Sequence, residues 1–98
     1  MLNTKTILIV DDEPRTRQGL KKNLDTWANG NYQIITASNG EEAIQLLKQY
    51  KVHILITDIR MPEITGLELL KIAKELHIFP AILVISAYSE FEYAQEAL

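Results

Sequence analysis

Two hydrophobic periodicities alternate along the 98 residues of this chain. Short β-branched runs predict four strands, and longer stretches with apolar residues three or four positions apart predict the helices between them. The predicted strands cover residues 6–10, 33–36, 53–57 and 81–86. Three of these runs are almost continuously apolar, which is typical of strands that are covered on both faces of a parallel sheet.

Capping residues mark the predicted helices. Pro14 suits the first turn of helix 1, and the pair Asn29-Gly30 ends it. Helix 2 begins near Asn39, and helix 3 begins near Thr65 with Glu68 as the second member of a capping box. The inward-facing residues are predicted to be Leu20, Leu24 and Trp27 in helix 1, Ala43, Ile44 and Leu47 in helix 2, and Leu69, Leu70, Ala73 and Leu76 in helix 3.

A fourth helix is predicted to start near Ser89, with Phe91, Ala94 and Leu98 on its apolar side. Strict alternation of strands and helices with short connections predicts a doubly wound parallel sheet with right-handed crossovers. A strand order of 2-1-3-4 places the topological switch point, where such sheets bind ligands, between strands 1 and 3. His53 and His77, at element ends, are expected to be structural or solvated.

Acidic side chains follow two of the predicted strands at the points where these end. Asp11 and Asp12 follow strand 1, Asp58 follows strand 3, and the hydroxyl of Ser86 ends strand 4. The carboxyl ends of parallel strands share one edge, so the 2-1-3-4 order gathers three carboxylates around one crevice. Two such charges about 4 Å apart repel by roughly 4 kcal/mol at an effective dielectric constant of about 20. The crevice therefore requires a proton or a hard cation.

Oxygen ligands without histidine or cysteine favour Mg²⁺ over zinc. A carboxylate beside a bound Mg²⁺ can attack a phosphoryl group and form an aspartyl phosphate. Each residue alone also has a structural interpretation. An Asp-Asp pair after a strand commonly forms a turn and a helix N-cap, Asp58 can cap the turn before Pro62, and Ser86 can satisfy backbone groups. The joint placement of these residues at one sheet edge favours a cation-binding and phosphorylation site over separate structural roles.

Composition narrows the function classes. The chain has no cysteine, which excludes disulfides and thiolate metal sites. The net charge of −3 argues against direct binding to a nucleic-acid backbone. No apolar run approaches the roughly 18 residues that span a bilayer, and no leader pattern stands at the start, so we expect a single cytosolic domain.

Three segments resemble the receiver domain of two-component response regulators. They are ILIVDDEP (7–14), ILITDIRMPEITG (54–66) and ILVISAY (82–88), and the resemblance covers all 98 residues. It implies a flavodoxin-like fold, with Asp58 as the phosphoacceptor and Mg²⁺ as the cofactor. It further implies that Asp12 is a direct ligand, that Asp11 acts largely through water, and that the backbone carbonyl of Arg60 is a ligand. Ser86 would be the switch hydroxyl, and Pro62 and Gly66 would shape the loop after Asp58.

The resemblance also implies partners. A sensor histidine kinase would phosphorylate the domain, which would be no enzyme beyond its own phosphorylation and dephosphorylation. The run SEFEYA (89–94) is similar to receivers whose output domain is an AraC-type helix-turn-helix, so DNA would be contacted only through a domain absent from this chain. Two alternatives remain. They are a receiver-like interaction module that is not phosphorylated, and a Mg²⁺-dependent phosphohydrolase, which is disfavoured because Arg60 stands where such enzymes place a second acid.

Receiver domains have five βα units, and the resemblance implies that this chain, as an incomplete domain 1–98, lacks the fifth. The missing strand would carry the lysine that pairs with the phosphoryl group. We therefore expect weak phosphorylation of the chain by itself, whereas Mg²⁺ can still bind. Strand 4 would form an exposed apolar edge, which favours a homodimer or exchange of elements between chains.

Overall fold

The computed structural model describes residues 4–85. Its strands are β1 (Lys5–Val10), β2 (Tyr32–Ala37), β3 (Ile54–Asp58) and β4 (Ala81–Ile85), and its helices are α1 (Pro14–Ala28), α2 (Gly40–Gln49) and α3 (Gly66–Glu75). The first three predicted strands are correct to within one residue at either end, and the fourth starts at the predicted residue. The fourth helix that was predicted near Ser89, with Phe91, Ala94 and Leu98, lies outside the described residues.

The four strands form one sheet in the order β2-β1-β3-β4, and every pair of neighbours is parallel. This confirms the predicted doubly wound, flavodoxin-like architecture. β1 lies between β2 and β3, and its register brings Val10 level with Ala37 on one side and Thr57 on the other. The carboxyl ends of β1 and β3 therefore lie side by side at one edge of the sheet.

Helices cover both faces of the sheet. The face under α2 and α3 contains Leu8, Val10 and Leu55, which pack with Leu47 and Leu69 from these helices. The opposite face is covered by α1 and has a smaller cluster of buried isoleucines, which are Ile7, Ile9, Ile34 and Ile56. Burial of β1 from both sides explains why its sequence is continuously apolar from Ile7 to Val10, directly before the first aspartate.

Two of the residues that were predicted to face inward are exposed. Trp27 is 62% exposed and stacks on Tyr32 with ring centroids 5.2 Å apart, because the buried line of α1 runs through Leu20, Leu24 and Ala28 instead. The prediction that Trp27 packs in the core was therefore wrong.

Leu76 is 40% exposed because it is the C-cap of α3, after which the chain turns away from the helix axis. His77 has a φ of 59° and donates its N–H to the carbonyl of Lys74, while the N–H of Ile78 donates to Ala73. This is the double hydrogen bond of a Schellman motif. It places Ile78, and not Leu76, against the core.

His53 extends the ladder between β1 and β3 by one residue. Its backbone N–H donates to the carbonyl of Thr6 at 2.9 Å, and the N–H of Thr6 donates to His53 Nδ1 at 3.0 Å. The carbonyl of His53 accepts from Ala81, so this residue also connects the start of β4. The bond from Thr6 requires an unprotonated Nδ1, which assigns the proton of the neutral ring to Nε2. The expectation that His53 is structural agrees with this geometry.

None of the helices found between residues 4 and 85 has the length and apolar character required to cross a membrane.

We expect His53→Leu to lower the free energy of unfolding by about 1–3 kcal/mol, because the buried N–H of Thr6 loses its acceptor. His53→Asn should recover most of this loss, since the amide oxygen takes the position of Nδ1. His77→Asn, at an exposed position with positive φ, is the control and should change stability little. Urea unfolding measures all three, and equal stability of the Leu and Asn variants at position 53 would contradict the role of this bond.

Candidate metal centre

Three carboxylates meet at the carboxyl edge of the sheet. Asp11 and Asp12 directly follow β1, and Asp58 is the last residue of β3. One oxygen from each side chain lies within 4.8 Å of the other two. Asp11 is buried, Asp58 is half-buried and Asp12 is exposed. The structure therefore brings together the three acids that the sequence predicted as a cluster, at the predicted switch point between β1 and β3.

Asp11 is fixed by hydrogen bonds on three sides. Its N–H donates to the carbonyl of Ala37 at 3.2 Å, which anchors it to β2. Its Oδ1 accepts from the backbone N–H of Glu13 at 2.9 Å, and its carbonyl accepts from Arg17 Nη1 at 2.8 Å. Together these bonds fix the turn that positions Asp11 and Asp12.

Sequence reasoning missed Arg17 as part of this region. The signal was available, because Arg17 lies four residues after the helix N-cap Glu13 and helical side chains point towards the amino terminus of their helix. A long side chain at this position in α1 can therefore reach back to the end of β1.

The surroundings of Asp11 favour neutralisation of its carboxylate by a proton or a cation. Burial raises the pKa of the Asp11 carboxyl above its ordinary value of 3.8, and the charges of Asp12 and Glu13 raise it further. The hydrogen bond from the Glu13 N–H and the charge of Arg17 lower that pKa, but the net direction is upward. The carboxylate of Asp11 is therefore incompletely compensated by the protein itself.

A divalent cation with a preference for oxygen fits this donor set. Mg²⁺ commonly takes one or two carboxylates and keeps several ligand positions for water and phosphate oxygens. Here a buried acid and a half-buried acid lie beside the exposed Asp12, which leaves the solvent side open. A shallow depression lined by Asp12, Arg60, Met61, Pro62 and Thr65 adjoins the cluster. It offers space for a small group next to the carboxylates.

The loop after Asp58 returns closely to that residue. The N–H of Gly66 donates to the carbonyl of Ile59 at 2.8 Å, and a Cβ built on Gly66 would overlap the carbonyl oxygen of Asp58. Only glycine permits this approach, which agrees with the predicted loop-shaping role of Gly66. Thr65 then caps α3 through the predicted capping box with Glu68.

Pro62 contributes to a tight three-residue turn within the same loop. Its carbonyl accepts from the N–H of Ile64 at 2.8 Å, around Glu63 with a φ of 67°. Positive φ is uncommon for a residue with a side chain, so this turn is locally strained. Met61 is buried and anchors the loop to the core under α2 and α3.

Two predicted site residues have roles that the geometry does not test. Arg60 is exposed two residues after Asp58, and ligation by its carbonyl stays a prediction. β4 is described as far as Ile85, which pairs with Asp58. Ser86, the predicted switch residue, is the next residue in the chain and lies outside the described part.

Known proteins are similar to this chain in sequence and in architecture. The model of a family described as the response regulator receiver domain matches residues 7–98. The transcriptional regulatory protein HptR of Staphylococcus aureus is 36% identical over 93 residues, which are 94% of this chain and 36% of HptR. The chain thus spans about a third of the length of such relatives.

Solved structures of response regulators are likewise similar to this chain. A two component transcriptional regulator AraC from Clostridium phytofermentans superposes with a TM-score of 0.85 at 38% identity, covering 97% of this chain and 74% of that one. The response regulator protein TrrA from Thermotoga maritima, solved in complex with Mg²⁺ and BeF, gives a TM-score of 0.79 at 39% identity, with 92% and 76% covered.

We expect Gly66→Ala to lower the free energy of unfolding by about 3 kcal/mol, because the new methyl group meets the backbone of Asp58 and cannot be relieved by a rotamer change. Gly19→Ala is the matched control. Gly19 lies within α1 with open space around it, so the same substitution should stabilise the protein by about 1 kcal/mol. Chemical denaturation compares the two, and a neutral Gly66→Ala would show that the loop shifts freely.

We expect Asp11→Asn to raise the melting temperature of the protein in EDTA at neutral pH, because the amide keeps an acceptor for the Glu13 N–H and removes a buried charge. The folded-state pKa of Asp11 is raised, so its stability contribution is present below its unfolded value near 3.8 and is lost as the pH rises through the folded value. The difference in melting temperature between Asp11→Asn and wild type should therefore vanish as the pH falls to the unfolded pKa value of Asp11 near 3.8.

Mg²⁺ should stabilise the wild type more than Asp11→Asn, because a ligand that binds only the folded state raises its stability. Asp25→Asn, which removes an exposed acid from the ion pair with Lys21, is the charge-matched control and should leave the Mg²⁺ effect unchanged. Differential scanning fluorimetry across pH, with EDTA or Mg²⁺, measures these shifts. An Asp11→Asn variant that is less stable than wild type in EDTA would refute the electrostatic interpretation.

Proposed function

The chain belongs to the family of response regulator receiver domains, and we propose that it accepts a phosphoryl group on Asp58 in a Mg²⁺-dependent reaction. The observation that carries the proposal is the cluster of Asp11, Asp12 and Asp58, whose oxygens lie within 4.8 Å of one another at the switch point. A structural turn would explain one pair of acids but not the third acid from a different strand.

The chemistry assigned to Asp58 is a phosphoryl transfer. An oxygen of its carboxylate forms a bond to the phosphorus of a phosphohistidine on a sensor histidine kinase. The phosphorus–nitrogen bond breaks, and its electron pair stays on the imidazole nitrogen. Mg²⁺ held by Asp11, Asp12, Asp58 and the carbonyl of Arg60 would supply positive charge that compensates the carboxylates and the phosphoryl oxygens.

The residues around Asp58 favour a defined geometry for this transfer. Gly66 contacts the carbonyl of Asp58 closely, and the end of β3 is paired on both sides by β1 and β4. The phosphoryl group adds roughly −1.5 to −2 charges and new hydrogen-bond acceptors. As the resemblance implies, the hydroxyl of Ser86 would bond to it and shift the helix 4 side of the domain.

Signalling beyond this domain belongs to the parent protein. Relatives such as HptR are transcriptional regulators of which this chain matches 36%, so we assign DNA binding to an output domain of AraC type outside this sequence. We place the protein in the cytosol and assign it no enzymatic activity other than its own phosphorylation and dephosphorylation.

An interaction module that is never phosphorylated is the second candidate. Exposed apolar side chains favour it, since Phe79, Ile82 and Leu83 are 72%, 50% and 55% exposed. Such a surface is typical of contacts with another protein. Under this alternative the acidic cluster would serve structure only, and binding to partners would not depend on Asp58.

We expect the full-length protein to gain the mass of one phosphoryl group when it is incubated with acetyl phosphate and Mg²⁺. Asp58→Asn should show no gain, because the nucleophile is lost, and Asp12→Asn should show a strongly reduced rate through weakened Mg²⁺ binding. Asp25→Asn, an exposed acid on α1, is the control that should behave as wild type. Intact-mass spectrometry gives the readout. Absence of a mass gain from wild type would favour the interaction module, and a mass gain that persists in Asp58→Asn would refute Asp58 as the phosphoacceptor.

A further inference from the structure

Arg17 makes a contact that neither the sheet nor the helix requires. The ladder between β1 and β2 ends at the pair Val10–Ala37, so the carbonyl of Asp11 lies beyond the last pair. This carbonyl accepts a hydrogen bond from Arg17 Nη1 at 2.8 Å, across six residues of chain and in a partly buried position. The guanidinium thus completes the bonding of the residue that begins the acidic cluster.

The position of Arg17 is unfavourable for the helix itself. It lies in the fourth position of α1, whose first turn contains no acidic residue. Cations near a helix amino terminus are repelled by the partial positive charge of that end. Arg17 is half-buried, while Arg15, two residues earlier, is exposed. The compensation for Arg17 therefore comes from the carbonyl of Asp11 and from the nearby acids.

We infer that Arg17 is a positioning residue of the cation site, which holds the Asp11–Asp12 turn so that both carboxylates are presented to a divalent cation. The inference rests on the proposed Mg²⁺-dependent function. Arg17 contributes through the backbone of Asp11 and does not ligate the cation. In its absence the carbonyl of Asp11 loses its partner, and the turn relies on the bonds from Asp11 to Ala37 and from Glu13 to Asp11.

Two opposite effects make this inference testable. Removal of a positive charge near the acids, taken alone, strengthens cation binding through reduced repulsion. Loss of the hydrogen bond to Asp11, taken alone, weakens binding because the ligands must be ordered when the cation binds. A simple surface charge therefore predicts tighter binding after substitution of Arg17, and a positioning role predicts weaker binding.

The experiment measures the affinity for Mn²⁺, a divalent cation that takes the same oxygen ligands, from the paramagnetic resonance signal of the free ion. Arg17→Met keeps the length of the side chain and removes both charge and donor. We expect it to weaken binding about tenfold, as is typical for residues that orient metal ligands. Arg15→Met is the matched control on the same helix, because Arg15 is exposed and has no side-chain hydrogen bond to residues 4–85. It should bind equally or slightly more tightly.

Arg17→Lys keeps the charge and one donor, and its affinity should fall between those of wild type and Arg17→Met. When the full-length protein is phosphorylated by acetyl phosphate, Arg17→Met should raise the Mg²⁺ concentration for half-maximal rate about tenfold. It should leave the rate at saturating Mg²⁺ close to that of wild type. A general loss of structure would also lower the rate at saturating Mg²⁺. Circular dichroism confirms that each variant is folded, and if Arg17→Met does not fold, Arg17→Lys replaces it with the same expectation at a smaller factor.

The outcomes separate this inference from the proposed function. If wild type does not bind Mn²⁺, or if Asp12→Asn binds as well as wild type, the proposed cation site is wrong. If wild type binds and Asp12→Asn does not, but Arg17→Met binds as tightly as Arg15→Met, only the positioning role is refuted. Weaker binding by Arg17→Met together with unchanged binding by Arg15→Met supports it.

Discussion

The parallel pairing of β1 between β2 and β3 is the constraint on which the rest of this structure depends. Since all strands run in the same direction, the residues that follow β1 and the last residue of β3 arrive at one edge. This edge receives three carboxylates within 4.8 Å of one another. Mutual repulsion and the burial of Asp11 oppose such a cluster, and both are relieved by a cation or a proton. The fold thus concentrates negative charge at this edge of the sheet, and a bound Mg²⁺ can neutralise it.

The surroundings of the cluster oppose its relaxation. Asp11 is held through its N–H, its carbonyl and its side chain, and the loop after Asp58 is closed by a glycine that no other residue can replace without displacement of the backbone. Repelling charges on a mobile loop would move apart into solvent. Because these backbone contacts hold Asp11 and the loop after Asp58, the carboxylates stay together. Their fixed position preorganises the site for a ligand of opposite charge. The rigid backbone keeps the repelling carboxylates close, and their repulsion favours the binding of a cation.

The contact of Arg17 and the apolar surface at β4 are two further features of the same fold. Arg17 belongs to a helix on one face of the sheet and contacts the end of the strand that supplies Asp11 and Asp12. On the β4 side, Phe79, Ile82 and Leu83 expose large apolar side chains within the described residues. The expected self-association through strand 4 stays a prediction, as does the expected weak phosphorylation of the chain by itself.

The amino-acid sequence alone determined the strands and the caps at Asn39 and Thr65, because hydrophobic period and capping chemistry are local signals. The 2-1-3-4 order, which the structure confirms, is not a local signal and accompanied the resemblance to receiver domains. The sequence also determined which acids meet, since parallel strands leave no other edge for them. Only the tertiary structure decided that Trp27 lies outside the core and that Ile78 replaces Leu76 within it. These outcomes depend on where each helix ends relative to the sheet, which periodicity does not specify. The helical position of Arg17 allows its side chain to reach back towards β1, but its contact with the carbonyl of Asp11 also requires the helix direction and the strand end to coincide in space. This coincidence is a property of the folded chain.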